Sequence, residues 1–213
     1  MLTESDLLTQ DELPTLTDIG LSLYRDFSRN TLFAREFHYF FDDGTDVLVR
    51  FAEYGVYHML AIQHINSRIP KNSFFARIDQ GLALSDFELE NAMRQRFKAQ
   101  KTRIRLFACV YQALRMGQVF HCPDGRVPNT KDVEMDYIIL REVSQKGLNV
   151  GLRLADDGSC YVPLTILVSK PGDIKRYVDG CPEKRVRRLE ITEGGKPVER
   201  IVYADSFIAP MQP

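Results

Sequence analysis

The chain has 213 residues, and 28 Lys+Arg against 29 Asp+Glu leave a formal charge of −1. With 44% hydrophobic and 27% charged residues, this is the composition of a globular protein long enough to bury a sizeable core. The balance excludes a polybasic coat for nucleic acid but not a local basic surface, and no run approaches the roughly 18 apolar residues of a membrane span.

Residues 1–18 carry Glu4, Asp6, Asp11, Glu12 and Asp18 and no Lys or Arg. Residues 1–14 are expected to be a flexible acidic segment ahead of a single domain, with 205–213 as a tail. MLTESDLLTQDELP also lacks the basic and apolar regions of a secretory signal. A helix is expected after Pro14, capped by Thr15 or Thr17, with Ile19, Leu23 and Phe27 on its apolar face. Aromatic and β-branched runs at 37–41 and 47–51 flank Asp43-Gly44, which signals a hairpin. Residues 57–65 lack alternation and read as a short helix, and 71–80 as another. Ser85 and Glu88 form a capping box for a helix over 86–95. A longer helix is expected over 97–116, with Ile104, Phe107, Tyr111 and Leu114 inward and Gly117 as its stop.

The remainder reads as strands. Alternation runs over 135–142 and 148–155, a return strand over 160–169, and a hairpin joins 186–191 to 198–204 through Gly194-Gly195. The expected architecture is α+β: an N-terminal helix and aromatic hairpin, central helices, and a C-terminal antiparallel meander packed against the helices.

Phosphate-binding glycine loops, H-E-x-x-H and G-x-S-x-G are absent. His121-Cys122 with Cys160 and Cys181 matches no usual zinc spacing, so neither metal nor cofactor is expected. Four scattered cysteines without a C-x-x-C pair read as reduced thiols, which suggests the cytoplasm. Residues 94–105 are half cationic, while 91–123 contain no acid. On a helix Arg94, Lys98, Lys101 and Arg105 share one face at i, i+4, i+7, i+11, a stripe able to follow a phosphate backbone. The plainer alternative is a solvated face paired with the acidic N-terminus. His58 follows a strand end and can exchange protons near neutrality; His64, six positions on, need not share its helical face. Thr165 alternates with Leu164 and Ile166, which sets it on the opposite strand face, and Pro163 marks an edge strand or a bulge. For each of these single residues, packing or β-propensity is the plainer explanation.

Several stretches together resemble the phage-borne branch of the barnase–EndoU–colicin–RelE-like nucleases. The resemblance rests on the hairpin FHYFFDDGTDVLVRF, on AEYGVYHMLAIQHI as an aromatic-then-His segment entering a helix, on FKAQKTRIRLF, and on YVPLTIL as a Pro-x-Ser-like strand. It covers roughly residues 37–204. Met59, Ala61 and Thr165 stand where Leu, Gly and Ser are expected. The resemblance implies metal-independent RNA cleavage by attack of the ribose 2′-OH, in a prophage toxin or effector. It implies His58 as acid or base, Arg103 or Lys101 as oxyanion partner and Thr165 as phosphate anchor, with Arg153 and Arg141 lining the same groove. It leaves the second proton-transfer group unassigned. The alternatives are a catalytically inactive nucleic-acid-binding module and a factor that docks a protein partner, such as an inhibitor or host factor.

Overall fold

The structure, a computed structural model, describes residues 1–203; the expected tail at 205–213 and the strand end at Ala204 lie outside them. Thr3 and Asp6 cap each other, Thr3 N donating to Asp6 Oδ2 at 2.7 Å, and this starts α1 (Glu4–Leu7). Leu7 is fully buried. Gln112 Nε2 donates to Leu8 O at 2.5 Å, Arg105 to Pro14 O, and Arg141 Nη2 to Asp11 Oδ1 at 2.5 Å. Residues 1–14 are therefore docked rather than a flexible arm. Their acids face out while Leu7 and the backbone carbonyls face in.

The first long helix starts later than Pro14 suggests. Asp18 accepts from Thr15 N at 2.9 Å and closes a turn, and α2 spans Leu21–Phe27. The hairpin forms as expected: β1 (Arg35–Phe41) pairs with β2 (Asp46–Arg50), and Gly44 supplies φ 82° at the turn. Helices α3 (Glu53–Met59), α4 (Ile62–Ile65) and α5 (Phe74–Asp79) follow. The expected helix over 86–95 is instead a short 3-10 turn, Leu84–Glu88. Asp86 caps it by accepting from Ala83 N at 2.8 Å, and α6 begins beyond it (Asn91–Phe107). A break at Ala108 and Cys109 then separates α6 from α7 (Val110–Met116). Gly117 does follow α7, and a Cβ there would meet Ile139 Cγ2 at 2.6 Å, so it permits the close approach of α7 to the sheet.

Then come β3 (Gln118–His121), β4 (Tyr137–Val143), β5 (Lys146–Leu154), β6 (Tyr161–Ser169), β7 (Glu183–Lys184), β8 (Val186–Glu193) and β9 (Lys196–Val202). All belong to one sheet in the order β7-β3-β4-β5-β6-β2-β1-β8-β9. The α+β class holds. Strands β3, β4, β5 and β6 form the expected antiparallel meander, but the aromatic hairpin inserts between β6 and β8, so the last hairpin is separated from it. The β2–β6 pairing is parallel and involves only Val49 and Tyr161. Among the described residues no helix is long and apolar enough to cross a membrane. The main core lies between the helices and one sheet face, around Phe37, Tyr39, Phe107 and Val150. A smaller cluster around Phe120, Met135, Ile138 and Cys181 covers the other face.

The β2–β6 pairing is short, and α3 packs closely against β6. Gly55 sits where a Cβ would fall against Pro163 O of β6. Ala gains up to about 1 kcal/mol of helix propensity over Gly, but forcing a methyl onto backbone costs about 1–3 kcal/mol. Gly55→Ala is therefore expected to destabilise the protein. An unchanged or raised unfolding midpoint in urea would refute this close approach.

Candidate active site

The end of α3 carries His58, α6 carries Arg103 and β6 carries Thr165, and the three meet. Arg103 Nη2 donates to Thr165 Oγ1 at 3.0 Å and to His58 O at 2.5 Å, and Arg103 Nε donates to Met59 O at 2.8 Å. Among the described residues Met59 O has no other partner at the C-terminal end of α3, while His58 O also accepts from Ala61 N at 3.0 Å, so the guanidinium ties that helix end to the strand. Arg103 is half buried, and burial brings its pKa down to about 10, so it stays charged at neutral pH. Among the described residues it has no carboxylate partner, and its Nη1 makes no hydrogen bond. A half-buried cation without a counter-charge is costly unless an anion completes it.

Around these residues opens a cleft of about 560 Å³, lined by His58, His64, Arg103, Arg153, Glu134 and Thr165 among others. Arg153 stands 3.8 Å from Glu134. Pro163 lies at a bulge, as one of its two readings has it. Leu152 pairs with Pro163 and Gly151 with Thr165, so Leu164 is the extra residue. Leu164 consequently lines the same cleft as Thr165 instead of facing away from it, while Ile166 is buried in the core. Gly151 makes room opposite Thr165: a Cβ there would meet Thr165 Cγ2 at 2.7 Å.

His64 is the site residue that sequence reasoning passed over. In one continuous helix, six positions at about 100° each would turn it roughly 240° from His58. Ala61 interrupts the helix with left-handed φ 58° and ψ 29°, and α4 starts in a new direction. Both imidazoles then line one cleft. Nothing in the sequence marks the break, since Ala favours the right-handed helix. His58 has its pKa lowered by burial first, then by the charges of Lys71, Arg103 and His64. It is therefore neutral at pH 7, the form that accepts a proton.

The proposed nucleic-acid stripe stands elsewhere. Position 103 is nine residues from Arg94, about 900° of helix rotation, so Arg94, Lys98, Lys101 and Arg105 project from the side of α6 opposite Arg103. Arg94 and Lys98 are exposed there, whereas Lys101 pairs with Glu88 at 2.9 Å, which leaves Arg103 alone as the cation in the cleft from this helix. Arg105 is committed to the carbonyls of Leu13 and Pro14, and Arg141 to Asp11. Only Arg153 of the expected nucleic-acid-binding set joins the catalytic candidates. The N-terminal segment thus does cover part of the basic helix, through its backbone more than through its acids.

Among the described residues no group of three or more His, Cys, Asp or Glu side chains is arranged to hold a metal ion. Cys122 and Cys181 approach to 4.0 Å as buried thiols, while His121 packs on Tyr137. No family model, curated protein or solved structure matches the chain.

Proposed function

We propose that the protein is an endoribonuclease that cleaves RNA through a 2′,3′-cyclic phosphate, without requiring a metal. The observation that carries this reading is Arg103: a half-buried cation without a carboxylate partner among the described residues, bonded to Thr165 Oγ1 and flanked by two histidines. Neutral His58 removes the 2′ proton, and the 2′ oxygen attacks the adjacent phosphorus. The bond from phosphorus to the 5′ oxygen breaks, and His64, as the general acid, gives that oxygen its proton. Arg103 and Thr165 hold the non-bridging oxygens as charge develops on them. Arg153 attracts the neighbouring phosphate from the rim. This assigns Arg103 rather than Lys101 as the oxyanion partner, because Lys101 is held by Glu88.

A cytoplasmic prophage effector of this kind would act on host or phage RNA. Purified protein is expected to cut RNA in the presence of EDTA. If diverse RNAs, transfer RNAs included, remain intact, the reading fails. One observation favours binding without catalysis: among the described residues the His58 ring has no hydrogen-bonded orienting partner, only an edge contact with Tyr57 at 5.3 Å. RNA that is retained but never cut would support that second reading.

A further inference from the structure

Arg103 lines two hollows. On its far side from His58 lies a second groove of about 390 Å³, walled by α6 through Gln100 and Thr102 and by the sheet through Lys146, Ser169 and Lys170. Its charged lining is entirely cationic: Arg103, Lys146 and Lys170. Among the described residues neither lysine has an ion-pair partner. Lys146 opens β5 and Lys170 follows the last residue of β6, so both ammonium groups come from adjacent strand ends. The short Ser144-Gln145 turn, with φ 47° and 64°, starts β5 at Lys146, and the pairing of Gly147 with Ser169 sets that strand end beside the end of β6.

The geometry points to a second phosphate-binding subsite, so that the ligand is a single-stranded polynucleotide lying across Arg103 with phosphates on both sides of it. This rests on the RNA reading of the first cleft. Each hollow falls within the roughly 300–1,000 Å³ range of small-ligand sites, a fit for nucleotide-sized units of a flexible strand and not for a duplex. Three cations with no acid between them form a path that follows phosphates without reading bases. The stripe on the opposite side of α6 cannot serve this path.

The test uses strands that cannot be cut. Fluorescent 2′-O-methyl dinucleotide and octanucleotide are titrated with the full chain at several salt concentrations, and so is the Lys146→Gln/Lys170→Gln variant, which keeps most of both side-chain stems. The wild type is expected to bind the octanucleotide much more tightly than the dinucleotide, and the variant to bind the two alike. The slope of log K against log salt for the octanucleotide should fall by about 1.4 in magnitude, about 0.7 for each phosphate of a single strand that the variant no longer neutralises. Equal length gains in wild type and variant would overturn the subsite. Length-dependent binding without any RNA cleavage would remove the catalytic reading and leave the subsite standing. Cleavage with no length effect would do the reverse.

Discussion

Replacing Arg103 with Met is expected to lower the RNA cleavage rate about 10²–10³-fold, the usual loss when a donor to developing anionic charge is removed. A structural role for Arg103 makes a different prediction. As the residue that satisfies Met59 O and adds a second bond to His58 O at the end of α3, its loss would leave one carbonyl unpaired, at about 1–3 kcal/mol. Release of a half-buried cation that lacks a counter-charge offsets part of that cost. The two roles separate at a temperature well below the unfolding transition, where folded Arg103→Met still fails to cleave. Arg103→Lys is not expected to rescue it. A point-charge ammonium cannot span two carbonyls and a hydroxyl as the planar guanidinium does. Thr165→Val, nearly the same shape, should lose about tenfold, in keeping with one hydrogen bond to a charged group. If folded Arg103→Met cleaves at the wild-type rate, Arg103 is a helix-capping residue only.

His58→Ala is expected to cost about 10²–10⁴-fold, the range for removing a positioned acid or base. Its pH dependence carries the sign. A base works unprotonated, and the pKa of His58 is held below the ordinary imidazole value by burial and by Lys71, Arg103 and His64. Cleavage should therefore rise with pH through a value below about 6.5. Lys71→Gln removes one of the positive charges, so it should move that rise to higher pH while leaving the maximum rate close to that of wild type. His64→Ala should also be severely impaired, and the double variant should be little worse than either single one, because an acid and a base act as a unit. A rise that stays in place in Lys71→Gln would assign the acidic limb to another group.

Local chemistry was readable from the residues alone. The Asp43-Gly44 and Gly194-Gly195 turns need positive φ, and the structure has φ 82° at Gly44 and φ 57° and 76° at Gly194 and Gly195. The strand runs around them correspond to β1, β2, β8 and β9, with Phe51 and Tyr203 just beyond the strand ends. The three candidate residues His58, Arg103 and Thr165 were likewise visible one by one. Their convergence was not, because it depends on long-range events. The two parts of the sheet join through a single parallel pair, Val49 with Tyr161, and α3 packs closely on β6 at Gly55. The bulge at Leu164 turns Thr165 and Leu164 toward one cleft. The left-handed residue Ala61 brings His64 back beside His58.

The basic stripe shows the opposite failure. Its periodicity was real, and α6 is a helix there. Yet periodicity cannot say which face meets the site, and the cationic face points away from it. The four-residue strand β3 was too short to register in the pattern of alternation. The N-terminal acids suggested a loose arm because their charge hides the inward leucines and the carbonyls that Arg105 and Gln112 hold.

The most direct measurement takes a single-stranded RNA oligonucleotide in EDTA and follows its products, beside the same strand with one 2′-deoxy substitution at the cleaved position. The account predicts fragments ending in 2′,3′-cyclic phosphate from the first and no cut at that position in the second, since the attacking oxygen is gone. Cutting at the 2′-deoxy position, or no cutting of either strand, would contradict it.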